Sequence, residues 1–222
     1  MYWDRDLSSK CVMALSSICI AVILEGKGTL ADLEEYTFLK SQLVIHGVVP
    51  EVIHEAPPFE IQIKYGRENV KMGQFMKPSQ ALENIPKLIR YPSDRRGFYV
   101  LIFTDPDSPN RTHPVDREFN HWLVGNIPGV AVSRGAELIP YCAPLPTKGS
   151  GVHRYVYIVF QQQKGLINYE DEIKLGKLPN DAGRKKFNAV DFSQKYSLGE
   201  AIAVTFFRME WDESYQNSTL HL

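Results

Sequence analysis

Phe98-Tyr99-Val100-Leu101-Ile102-Phe103-Thr104 runs straight into Asp105-Pro106-Asp107-Ser108-Pro109. The first seven residues are apolar, aromatic or β-branched without a break, which predicts a strand buried on both faces. The next five change character at once. Two prolines end the strand and stiffen the loop that leaves it, so two carboxylates are presented from a rigid platform. Residues 155–160 (YVYIVF) and 201–207 (AIAVTFF) are runs of the same buried kind, whereas residues 59–65 (FEIQIKY) alternate as a strand with one wet face does. Helical signals are few. Residues 32–42 (DLEEYTFLKSQ) read as a short helix with Asp32 as its cap and Leu33, Tyr36 and Leu39 on one face, and residues 191–196 (DFSQKY) as one or two turns. Turn residues such as Pro57-Pro58, Pro128-Gly129, Gly149 and Gly151 stud the connections. Many strands, Pro-rich loops and few helices predict a mainly β fold, an antiparallel β-sandwich or Greek-key barrel.

The 222 residues suffice for a full core, and no repeat or linker separates two domains. Lys+Arg 25 against Asp+Glu 26 leaves no basic surplus, so nucleic acid is not an expected partner. Neither GxxxxGK[ST] nor a strand-following GxGxxG is present, which removes the common nucleotide-binding folds. Cys11, Cys19 and Cys142 form no CxxC pair, so neither zinc nor a disulfide framework is expected, and Cys142 reads as a small buried apolar residue.

Residues 11–24 (CVMALSSICIAVIL) are mostly apolar and follow Arg5 and Lys10. The run is short for a membrane span. Two readings stay open: a signal-peptide core, and a buried helix or strand of a cytosolic domain. Asp4 and Asp6 dilute the basic leader, no A-x-A site follows, and Met13 offers an alternative start. The expected division is an apolar segment or signal peptide over 1–28, a domain over 32–214 and a tail over 215–222. Secretion is the expectation and the cytoplasm the alternative. Sequons at Asn110 and Asn217 matter only for a secreted chain.

Three segments concentrate unusual chemistry. Besides Asp105 to Pro109 there is Asn120-His121-Trp122, entering an apolar strand that ends at Pro128-Gly129, and Lys148-Gly149-Ser150-Gly151-Val152-His153-Arg154-Tyr155, where a Gly loop delivers His153 into a strand. Singly, each has a structural explanation. Together they place two Asp, two His, an Arg and a Tyr at strand ends, the makings of one small polar pocket in an apolar wall.

These blocks, with Glu118 to Gly129, Gly149 to Phe160 and Glu210-Trp211-Asp212, resemble the signature of the phosphatidylethanolamine-binding protein family, which includes Raf kinase inhibitor proteins and plant flowering-time regulators. The resemblance implies a large antiparallel β-sandwich with short peripheral helices and a pocket for a phospholipid headgroup or small anionic ligand. Carried over by position, it implies Asp105, Asp107, His121 and His153 as polar ligand-binding residues. Pro106, Phe119, Pro144, Pro146, Tyr155 and Phe207 complete the set. Phe119 stands where the family commonly has Trp, Leu145-Pro146-Thr147 replaces a Gly-Pro-Pro, and Phe207 lacks the hydroxyl of a family Tyr. The resemblance also implies a kinase or protease as alternative target, or a secreted carrier of odorant-like molecules. No GxSxG, HExxH or paired thiol nucleophile is present, so a binding protein rather than an enzyme is expected, monomeric and without metal or cofactor. Two carboxylates beside an anion make sense if Asp105 or Asp107 holds His121 or His153 as imidazolium.

Overall fold

A computed structural model describes residues 29–81, 85–172 and 182–213. The apolar run at 11–24, the tail from 215 and Asn217 lie outside the described residues. None of the described helices is long and apolar enough to cross a membrane.

Helix α1 spans Leu30–Ile45. Its cap is Thr29, whose hydroxyl accepts from the Asp32 N–H at 3.3 Å while the Asp32 carboxylate takes the Thr29 N–H at 2.6 Å. Asp32, expected as the cap, is therefore the third helical residue of a reciprocal capping box. The helix buries Tyr36, Leu39 and Leu43. A helical turn α2 follows at Val48–Glu51, then α3 at Pro78–Ala81. Helix α4 covers Ala189–Lys195 and is capped by the Asn188 side chain.

The strands are β1 Phe59–Glu60, β2 Gln62–Tyr65, β3 Glu68–Asn69, β4 Leu88–Arg90, β5 Phe98–Asp105, β6 Phe119–Pro128, β7 Ala136–Ile139, β8 His153–Gln162 and β9 Ala201–Met209. Six form one sheet in the order β1-β9-β8-β5-β6-β7, and three form a second in the order β3-β2-β4. The fold is sheet-dominated with few helices. The expectation of a purely antiparallel arrangement is corrected in one place: β1 runs parallel to β9, Phe59 opposite Ala203. The alternating stretch at 59–65 is the cause. Its first two residues pair with β9, Ile61 donates to the Val204 carbonyl at 3.1 Å, and the remainder crosses into the smaller sheet. Alternation reports a wet and a dry face, and says nothing of which sheet supplies the partner.

β5 is the central strand and both its faces are covered, as its composition requires. Val100 and Ile102 join Leu39, Leu43 and Phe192 of the helices, while Leu101 and Phe103 join Ile61, Ile63 and Ile89 from the smaller sheet and its approach. Residues Val100 to Phe103 are fully buried, each worth about 1.5–3 kcal/mol relative to exposure. Both neighbours of β5 are antiparallel to it. Its last residue, Asp105, therefore meets the first residue of β6, Phe119, and lies at the end where β8 begins with His153. Sheet topology alone gathers three of the segments singled out in the sequence.

Candidate functional site

At that end of the sheet lies a cleft of about 310 Å³. Asp105, Phe119, His121 and His153 line it, together with Ser108, Pro109, Asp116, Cys142, Ala143, Leu145, Thr147 and Lys185.

His153 is held from both sides. Its Nδ1 lies 2.7 Å from Asp105 Oδ2, and its Nε2 lies 2.9 Å from Ser150 Oγ. A serine hydroxyl has one proton, and Ser150 gives it to the Thr147 carbonyl at 2.7 Å. Ser150 must then accept from Nε2, just as the carboxylate accepts from Nδ1. With an oxygen acceptor at each ring nitrogen, the surroundings of His153 favour the doubly protonated imidazolium. Burial by itself would lower its pKa, but the hydrogen bond and charge of Asp105, joined by the charge of Asp107 and the Pro109 carbonyl, outweigh burial and the net displacement is upward.

His121 is the opposite case. Its Nδ1–H donates to the Cys142 carbonyl at 3.0 Å, which fixes the tautomer. Phe119 and Phe103 pack on the ring at 4.9 and 5.2 Å, and Tyr155 meets it edge-on at 5.3 Å. Burial among these rings drives its pKa down to about 4, so the imidazole is neutral and Nε2 is a bare acceptor. Of the two imidazoles expected to be held by a carboxylate, His153 is the one paired with Asp105, and His121 instead meets a carbonyl.

Asp107 faces elsewhere. It is fully buried, and its carboxylate takes three donors of Arg154: the backbone N–H and Nε on Oδ2 at 2.9 and 2.8 Å, and Nη2 on Oδ1 at 2.6 Å. Its own N–H donates to Asp105 Oδ1 at 2.8 Å, which fixes the carboxylate that holds His153. Pro106, Pro144, Pro146, Tyr155 and Phe207 do not line the cleft either. Pro106 accepts from Arg117 Nε at 2.6 Å, and Phe207 is a fully buried ring stacked on Tyr155 at 5.4 Å, one layer behind His121. The missing hydroxyl at 207 is therefore a difference in the wall's backing.

The profile of the family described as "Phosphatidylethanolamine-binding protein" matches residues 54–207. The chain belongs to the phosphatidylethanolamine-binding protein family. "Putative odorant-binding protein A5" of Drosophila melanogaster is 35% identical over 167 residues, 75% of this chain and 77% of that protein. "Protein MOTHER of FT and TFL1 homolog 2" of Oryza sativa subsp. japonica is 35% identical over 170 residues, 76% and 91% of the two chains. Among solved structures, the carboxypeptidase Y inhibitor complexed with its cognate proteinase shares the fold with a TM-score of 0.67 at 23% identity, over 80% of this chain and 97% of that one.

For a member of the phosphatidylethanolamine-binding protein family, this chain's rim carries charges that its sequence did not announce. Lys185 Nζ lies 2.9 Å from Asp116 Oδ2, with side chains 42% and 19% exposed. Neither residue belongs to the recognised motifs, and only the fold brings them to the cleft. Glu51 is equally remote in sequence: it accepts from Arg154 at 2.8 Å and from Arg117 at 3.1 Å. Cys142 is buried, which raises its thiol pKa and makes it a poor nucleophile. Leu145 and Thr147, the departures from the family's loop, both sit on the lining. Among the described residues no group of three His, Cys, Asp or Glu is placed to hold a metal ion.

Proposed function

We propose that the cleft binds a small phosphorylated ligand of headgroup size, either the headgroup of phosphatidylethanolamine or another compact phosphate-bearing molecule. The observation that carries this reading is the imidazolium of His153, held by Asp105 in the same cleft as the Lys185 ammonium. A cation fixed inside an apolar wall is the feature an anionic oxygen selects, through charge-assisted hydrogen bonds. A volume near 310 Å³ is at the small end of ligand pockets, which favours a headgroup over acyl chains. Family membership supports the same chemistry. An odorant-like apolar cargo fits this cleft less well, because two ion pairs would have to be covered without compensation.

Calorimetric titration of the full chain with O-phosphoethanolamine tests the proposal. Saturable heat that disappears in His153→Gln is expected. No heat at pH 6, or equal heat in the variant, overturns it. The secreted reading depends on residues 11–24 and is tested by N-terminal sequencing of the natural mature protein. A start beyond residue 24 supports it and an intact Met1 or Met13 defeats it.

A further inference from the structure

Both protons of the His153 cation are already committed. Asp105 holds one in a buried pair, the two side chains 4% and 5% exposed, Ser150 accepts the other, and the Pro109 carbonyl also acts on the ring. An incoming ligand oxygen has no N–H to meet unless one of these partners yields. The carboxylate is the stronger acceptor and is itself fixed by the Asp107 N–H. The neutral hydroxyl is the weaker one, and it sits on a short loop between two glycines. Gly149 and Gly151 flank Ser150 with φ of +80° and +77°, and a Cβ at either would meet nothing within 4 Å. Apart from its contact with His153, Ser150 is tied through its N–H and Oγ–H to one carbonyl, that of Thr147.

We infer that Ser150, which is not itself among the lining residues, is a tethered competitor for the ligand: its hydroxyl holds His153 Nε2, the donor that an anionic oxygen reaching in from the cleft must win, and the glycines on either side let it swing out. The inference rests on the anion-binding reading of the cleft. Apparent affinity is then the intrinsic affinity reduced by the fraction of molecules in which Ser150 has left Nε2. Ser150 thereby sets a threshold for the ligand. Weak neutral acceptors such as water or alcohols do not displace it, whereas a phosphate oxygen, which brings charge, does.

The test compares wild type, Ser150→Ala and Ser150→Thr as full chains, titrated with inorganic phosphate and with O-phosphoethanolamine at pH 6. Removing the hydroxyl takes the Ser150 acceptor away from Nε2–H, and Ser150→Ala is expected to bind both probes roughly fivefold more tightly. Ser150→Thr keeps a hydroxyl at the same place and is expected to stay near wild type, which separates loss of the competitor from a general change in the loop. Unchanged or weaker binding by Ser150→Ala overturns the inference and makes Ser150 a bystander or a ligand contact instead. A second readout needs no ligand: in ¹⁵N-histidine spectra the Nε2–H signal of His153 is expected to be slow to exchange in wild type and fast in Ser150→Ala. Equal exchange in the two chains sinks the competitor. Absence of heat with every chain, while the exchange difference persists, condemns the anion-binding reading together with any competition, although the contact itself stands.

Discussion

Arg154 and Asp107 form a fully buried ion pair in which one carboxylate receives three hydrogen bonds from a single residue. Arg154 also donates to the His46 carbonyl at 2.9 Å and to Glu51, so it joins β8 to the segments that follow β5 and α1. Removing Asp107 leaves the buried guanidinium with only the partly exposed Glu51 to balance it, and breaking a buried pair typically costs about 3–5 kcal/mol. Asp107→Ala is expected to lose that amount of stability in urea denaturation. Its remaining folded fraction should still bind O-phosphoethanolamine, because Asp107 does not line the cleft. Normal stability with lost binding would return Asp107 to the ligand site.

The Asp105–His153 pair gives the cleft a defined pH response. His153 has its pKa raised above 6.5 in the folded chain. The stability it contributes is therefore complete below the unfolded value and lost as pH rises through the folded one. Ligand affinity, which needs the imidazolium, follows the same direction: strong in mild acid and falling with alkalinity. In Asp105→Asn the raising partner is gone while burial remains, so the His153 titration, followed by the NMR signal of its Cε1–H, is expected to move below 6.5. Affinity for O-phosphoethanolamine at pH 7 should fall with it. A titration unchanged in the variant would show that Asp105 does not set the charge.

How much of this was legible in the sequence depended on how far apart the cooperating residues lie. The buried runs at 98–104, 155–160 and 201–207 fall within β5, β8 and β9, because a strand covered on both faces has a composition that nothing else explains. Asp105, His121 and His153 were readable for a related reason: each stands at or near a strand end where buried composition gives way to polar chemistry. Strands β3, β4 and β7, of two to four residues, left no period to read. The ion pair of Lys185 with Asp116 and the anchoring of Arg154 by Glu51 join residues 69 and 103 positions apart, and no local pattern marks such partners. Asp107 misled because adjacency to Asp105 in a motif suggested a shared target, while the turn sends the two carboxylates to different cations.

The rim pair sets the balance of charge at the mouth. Because Lys185 and Asp116 are partly exposed, their pairing is worth at most about 1 kcal/mol and is easily exchanged for a ligand's charges. Asp116→Asn leaves Lys185 unopposed and is expected to tighten inorganic phosphate a few-fold. Lys185→Gln does the reverse. Both effects should shrink when ionic strength rises from 0.01 to 1 M, as the Debye length contracts from roughly 30 to 3 Å. Insensitivity of phosphate binding to both substitutions at low salt would place the anion away from this rim.

Glu118 and His121 stand near the start of β6 and pull stability in opposite directions with pH. Glu118 is buried, its Oε1 accepts from the Ala189 N–H at 3.1 Å and its Oε2 has no partner among the described residues; burial raises its pKa from 4.5 to about 7. Between those values the folded chain holds a proton that the unfolded chain releases, so stability falls as pH rises. His121, lowered from 6.5 to about 4, does the reverse: the unfolded chain takes up a proton that the folded chain refuses, and stability falls as pH drops. Displacements of this size are each worth about 3 kcal/mol, and over the shared window from 4.5 to 6.5 they nearly cancel. Glu118→Gln keeps the acceptor for Ala189 and removes the first effect. Urea denaturation is expected to find it more stable than wild type at pH 8, by up to about 3 kcal/mol. As pH falls from about 7 to 4.5 that advantage should shrink to nothing, because the variant follows His121 alone while wild type regains stability through Glu118. A variant weaker than wild type at pH 8 would mean that the Glu118 carboxylate is ionised and compensated in the folded chain, and that burial does not govern this end of the sheet.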